Sequence, residues 1–129
     1  MEDVDSVIDF LKKTFDAELL THMPGEDGRV MHASMRIGDS TIMLGGANEQ
    51  YKPFPAMLYV YVKDVDETYK KALEAGAESL VKVADQFYGD RSGGVKDPWG
   101  NSWWFSTQVE EVSDEEMQKR HEDYVKNQQ

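Results

Sequence analysis

Asp97-Pro98-Trp99-Gly100-Asn101-Ser102-Trp103-Trp104 is the stretch on which the reading of this chain turns. Asp97 to Gly100 has the residues of a tight turn, with proline near its second position and a glycine that can take positive φ. It feeds an apolar strand over 102–107. Just upstream lie Phe87-Tyr88-Gly89-Asp90-Arg91-Ser92-Gly93-Gly94, which combine aromatic groups, a lone arginine and a glycine pair. Turn chemistry accounts for the glycines and the proline. It does not account for all three tryptophans of the chain falling between positions 99 and 104.

Working outward, Met57-Leu58-Tyr59-Val60-Tyr61-Val62 is a strand. Lys63-Asp64-Val65-Asp66 then leads into a helix through Ala75, stopped by Gly76, and further strands are expected at 80–87 and 91–95. In the first half, Val4, Val7, Ile8, Leu11 and Phe15 fall on one helical face and Asp9, Lys12 and Lys13 on the other. Acids at the start of that helix and lysines near its end suit the macrodipole. Strands follow at 17–23, 30–37 and 41–44, with a loop over 24–28 and the turn Gly38-Asp39-Ser40. Residues 47–56, including Lys52-Pro53-Phe54-Pro55, form a linker. At the tail, Ser113 with Glu116 is a capping box and Val112 with Met117 a hydrophobic staple, which predicts a surface helix over 113–127 that frays toward its end.

The halves repeat one another. Asp3-Val4-Asp5 recurs as Asp64-Val65-Asp66, and Gly38-Asp39-Ser40 as Gly100-Asn101-Ser102, at nearly one offset. The second Asp-Val-Asp follows an apolar strand, whereas the first follows only Met1-Glu2. The first unit is therefore expected to lack its opening strand, either because the start codon is assigned late or because something else covers the edge. An uncovered edge is a template for another chain, so dimerisation or strand exchange is expected.

Composition bounds the function. At 129 residues and 40% hydrophobic the chain is one domain's worth with a single core. A net charge of −11 and the lack of a basic stripe argue against nucleic acid. Without cysteine there is no disulfide framework, thiolate nucleophile or zinc-thiolate site. Nothing in the first residues resembles a signal peptide, and no apolar run approaches the ~20 residues of a membrane helix. A soluble cytoplasmic protein is expected.

The duplicated order, with Asp97-Pro98-Trp99-Gly100-Asn101 before the final strand, resembles the glyoxalase/bleomycin-resistance/dioxygenase superfamily, also called vicinal oxygen chelate proteins. Gly28-Arg29-Val30-Met31-His32-Ala33, Arg36-Ile37-Gly38-Asp39-Ser40 and the run from Asp97 through Arg120 are similar to its PhnB-like branch. The resemblance implies an α+β fold in which paired βαβββ units form a barrel-like mixed sheet around a cavity, with the first strand of the first unit missing and a C-terminal helix added. The whole is one domain: first unit 1–46, linker 47–56, second unit 57–108, helix 113–127. Metal-dependent relatives carry ligands at positions that fall near Met43, Met57 and Trp104 here. None of these offers a hard oxygen or an imidazole, so neither metal nor cofactor is expected.

His22 and His32 flank the 24–28 loop and could lie near one another, but two ligands do not make a metal site. His121 is expected to be exposed. No Ser-His-Asp order, P-loop or dinucleotide motif is present, nor a cofactor loop for the methyltransferase label that PhnB-like proteins sometimes carry. Strand alternation puts Met57, Tyr59 and Tyr61 on one face, together with Ser102, Trp104 and Ser106, and His32, Ser34 and Arg36 from the first unit. Leu58, Val60, Val62, Trp103 and Phe105 go to the core. Tyr59, Tyr61, Trp104, His32, Arg36 and Arg91 are the expected ligand-binding residues, unless the aromatics simply fill the barrel or Arg91 pairs with a surface acid. The resemblance implies a non-catalytic small-molecule binder, as in the antibiotic-sequestering members, working as a homodimer. The alternative is a metal-dependent lyase, isomerase or dioxygenase with atypical ligands.

Overall fold

The computed structural model describes residues 3–25, 28–50 and 52–128, so the middle of the 24–28 loop and Tyr51 of the linker lie outside the described residues. Helix α1 (Val4–Phe15) begins at Asp3, whose carboxylate accepts from the Ser6 amide at 3.1 Å and the Ser6 hydroxyl at 2.6 Å. It ends on Asp16, which takes the left-handed conformation at φ 55°. Strands β1 (Glu18–Pro24), β2 (Val30–Ile37) and β3 (Ser40–Gly45) form an antiparallel sheet in that order. The second unit follows as β4 (Met57–Tyr61), α2 (Val65–Glu74), β5 (Glu78–Asp85), β6 (Asp90–Lys96) and β7 (Ser102–Gln108), and α3 (Asp114–Asn127) closes the chain. Its four-stranded sheet has the order β4-β7-β6-β5, mixed because β4 runs parallel to β7.

The structure gives the two sequence repeats a physical meaning. Asp64 caps α2 by accepting from the Glu67 amide at 3.2 Å, as Asp3 caps α1. Gly38 and Gly100 both adopt positive φ, 61° and 93°, in the turns that deliver β3 and β7. Asp-Val-Asp is thus a helix start, and Gly-Asp/Asn-Ser is the turn into the last strand of each unit.

Helices α1 and α2 cover one face of the sheets. Val4, Val7, Ile8 and Leu11 are buried as their spacing predicts, and so are Trp103 and Phe105 of β7. Phe10, which the helical spacing did not place on the apolar face, is buried as well. It packs edge-on against Trp99 at 6.0 Å and beside Trp103 at 6.3 Å. Phe15 meets Trp103 and Phe105, both at 5.4 Å between ring centroids. The helix of the first unit is therefore bolted to the last strand of the second, with each fully buried aromatic contributing roughly 1.5–3 kcal/mol of transfer free energy.

The Asp97 turn explains the tryptophan cluster. Its carboxylate accepts four hydrogen bonds: from the Trp99 amide at 3.0 Å, and from the Asn101 amide, the Asn101 side chain and the Trp103 indole at 2.9 Å each. Asn101 in turn accepts from the Ala56 amide at 3.0 Å and so sets where β4 begins. Trp99 and Trp103 point to the α1 side; Trp104 is on the other face.

Candidate functional site

The face of the second sheet away from the helices carries an aromatic and hydroxyl-rich surface. Parallel pairing sets Met57, Tyr59 and Tyr61 beside Ser102, Trp104 and Ser106. On the far side of β7, Gly94, Ser92 and Asp90 stand beside Trp104, Ser106 and Gln108. Gly94 is small for a reason: a Cβ there would come within 2.5 Å of the Trp104 ring, which lies down across the strand. The Tyr59 and Tyr61 rings are 5.5 Å apart. The Tyr61 hydroxyl donates to Asp90 Oδ2 at 3.0 Å, and the Tyr88 and Ser92 hydroxyls lie 3.4 Å apart.

These contacts perturb the phenols. Tyr59 is pushed up to about 12, first by burial of its hydroxyl end and further by Tyr88 and Tyr61, with Ser106 opposing. Tyr61 is raised chiefly because its hydroxyl is held by Asp90, with burial and the Asp90 charge adding to the effect. Both are therefore neutral hydrogen-bond donors at physiological pH. Beneath them Ser106 is fully buried, and its Oγ has no hydrogen-bond partner of good geometry among the described residues.

In the first sheet, His32, Ser34 and Arg36 share the helix-free face, opposite Gly45, Met43 and Thr41 of β3. Thr21 donates to the Ser34 hydroxyl at 2.9 Å, and Arg36 pairs with Glu18. An open cleft of about 670 Å³ lies where the units meet, lined by Arg36 and Gly38 from one unit and Tyr61 and Lys63 from the other, with the end of α1 at Phe15 and the Glu67 and Lys71 side of α2 forming its helix wall. Arg36 and Tyr61 thus border this cleft, which runs against the helices; Tyr59 and Trp104 lie beyond Tyr61 on the helix-free face and do not line it. His32 lies at the other end of β2, four residues from Arg36.

Two expectations are corrected. Arg91 is not part of this face. Alternation along β6 turns it to the helix side, where its guanidinium grips Asp66 of α2 at 2.8 and 2.9 Å and reaches Asp85 at 3.2 Å. That clamp holds the Asp66 carboxyl below its usual range. His22 and His32 are not neighbours on one face either. His22 pairs with buried Ala33 and turns to α1, with Nε2 3.2 Å from Asp5 Oδ1, whereas His32 points the opposite way. Sequence reasoning missed Tyr88, Asp90 and Ser92. Phasing 90–96 outward from the glycine that accommodates Trp104 would have found Asp90 and Ser92.

Met43, Met57 and Trp104, near which the resemblance puts the ligands of metal-dependent relatives, do not fit a divalent ion. Among the described residues no three His, Cys, Asp or Glu side chains stand close enough to share one.

A family model described as the Glyoxalase/Bleomycin resistance protein/Dioxygenase superfamily matches residues 1–105. The chain belongs to this superfamily. An uncharacterized protein of Mycobacterium bovis is 38% identical over 129 aligned residues, covering 92% of this chain and 85% of that protein. Among solved structures, TioX from Micromonospora sp. ML1 is similar with a TM-score of 0.73 and 28% identity, covering 84% of this chain and 93% of that one. TnmS3, described as an antibiotic binding protein from Streptomyces sp. CB03234, is similar with a TM-score of 0.65 and 22% identity, covering 84% and 88%. The superfamily match ends within β7, so α3 lies beyond it.

Proposed function

We propose that this superfamily member is a cytoplasmic, non-catalytic small-molecule binding protein of the PhnB-like branch. The ligand lies on Tyr59, Tyr61 and Trp104, and Tyr88, Asp90 and Ser106 supply polar contacts. The protein works as a homodimer, in which His32 and Arg36 of the first sheet help to enclose the ligand. The observation that carries this reading is the helix-free aromatic face: half-exposed rings set over neutral hydroxyl donors and a buried carboxylate, the mixture a small-molecule site uses. The fold shared with an antibiotic binding protein supports it. Metal-dependent chemistry has no donor set to work with at Met43, Met57 and Trp104.

Native mass spectrometry of freshly purified protein, with metal analysis of the same sample, tests this. A retained organic compound without a stoichiometric divalent ion is expected. Its affinity should fall roughly tenfold or more in Trp104→Ala, since truncating a central aromatic anchor costs about 1.4 kcal/mol of binding or more. A stoichiometric divalent ion would overturn the reading.

A further inference from the structure

On the helix-free face of the second sheet, Asp90 is only 7% exposed, yet the group its carboxylate meets is a phenol, the hydroxyl of Tyr61. No lysine, arginine or histidine pairs with it among the described residues. Its sequence neighbour Arg91 is turned through the sheet to Asp66 and Asp85. A carboxylate withdrawn from water without a counter-charge is costly, and one neutral hydrogen bond offsets only part of that cost. Ser106 Oγ, also buried on this face, has only the Tyr59 hydroxyl near it and makes no hydrogen bond of good geometry among the described residues. Beside them the Tyr59 and Tyr61 rings, 5.5 Å apart, offer π-faces of the kind that attract cations. The net charge of −11 draws cations toward the surface as a whole.

We propose that the Asp90 end of this face is a subsite for a protonated nitrogen, an amidinium or ammonium carried by an aromatic ligand. The proposal rests on the small-molecule-binding reading and names the ligand class that reading leaves open. The flat part of the ligand stacks on Tyr59, Tyr61 and Trp104, and its N–H groups reach Asp90. A cation there supplies the charge that the fold leaves out. An anionic ligand would meet an unshielded carboxylate instead. A bare divalent ion would find one carboxylate and otherwise only neutral hydroxyls, too little charge to hold it.

The test compares benzamidine, benzamide and benzoate, matched in shape and differing in charge, titrated at fixed ionic strength while the ring signals of Tyr59, Tyr61 and Trp104 are followed by NMR. Benzamidine should shift these signals saturably with an affinity about tenfold above that of benzamide, as a charge-assisted hydrogen bond provides, and benzoate should be weaker still. Asp90→Asn should remove the preference for benzamidine. Asp9→Asn, the same change in net charge on the exposed side of α1, should preserve it. Equal binding of benzamide and benzamidine, or a preference that survives Asp90→Asn, overturns the proposal. Tighter binding of benzamide or benzoate at these residues overturns it while leaving the face a binding surface. If no probe moves these signals the cation subsite is wrong, and the retained-compound measurement judges the binding reading separately. The comparison among probes on the unaltered protein stands even if Asp90→Asn fails to fold.

Discussion

At the scale of single residues the most consequential side chain is Asp97. Its two oxygens accept from two amides, one carboxamide and the Trp103 indole, in a site only 3% exposed. Replacing it with alanine leaves the buried indole N–H and the Asn101 side chain unsatisfied and loosens the turn that aligns β4 with β7. Asp97→Ala should therefore cost roughly 3 kcal/mol or more, read as a lower urea midpoint at unchanged slope. Asp97→Asn should recover only part of the loss, because an amide puts a donor where donors already converge. From the sequence Asp97 was legible as a turn residue. The indole contact was not, because it depends on where the strand lands after the turn. The phase of the tryptophan pair was legible: alternation alone sends Trp103 inward and Trp104 to the open face. Arg91 shows the limit of the same argument. Its charge and neighbours left a ligand anchor and a surface ion pair both open; one register step along β6 decides the face, and glycine-rich Ser92-Gly93-Gly94 offers no hydrophobic alternation from which to read that step.

Among the elements, α3 stands apart. It has no buried residue and lies past the end of the superfamily match. Ser113 starts it as the capping pattern predicts, accepting from the Glu116 amide at 3.2 Å. What holds it in place was not visible in sequence. Arg120 donates to the Phe87 carbonyl at 3.2 Å and pairs with Glu110 and Glu116, while the Phe87 ring lies 5.0 Å from Tyr124 and 5.9 Å from His121. Phe87 stands edge-on to Tyr88 at 5.2 Å, so α3 braces the hairpin that presents Tyr88 to the candidate site. Because the Arg120 ion pairs are partly exposed and the Phe87 ring contacts remain without them, Arg120→Ala should lower the urea midpoint only slightly, by about 1 kcal/mol of stability or less. Amide exchange within α3 and over 86–90 should nevertheless accelerate, showing local release without global loss. A large drop in midpoint would mean that α3 belongs to the core. For α1 the outcome was the reverse: its apolar stripe predicted the packed face, and what it missed was Phe10, reaching sideways to Trp99 and Trp103, and buried Thr14.

For the whole molecule, the two-unit plan was legible because each repeat performs the same physical task twice, a carboxylate capping a helix and a glycine turning the chain into a strand. The docking of α1 onto β7 was not, since no pattern within one unit encodes its partner. The plan leaves unfinished surface. β4 lies alongside β7 in the second unit, but among the described residues no strand lies along the outer edge of β3 in the first. On the helix-free faces Met43 is 71% exposed, Met57 73% and Tyr61 65%. The proposed second copy of the chain would answer both features, covering the apolar side chains and the open strand edges while closing the proposed ligand space. Sedimentation at micromolar concentration should give a dimer. The pair Met43→Asp with Met57→Asp should give a monomer of unchanged far-ultraviolet circular dichroism, because each puts a charge on the face proposed to meet the second copy and both side chains are exposed in their own chain. A clean monomer from the unaltered protein would remove the second copy from the binding reading, leaving Tyr59, Tyr61 and Trp104 to hold a ligand on one open face. Affinity would then have to come from stacking and the Asp90 carboxylate, without enclosure by His32 and Arg36.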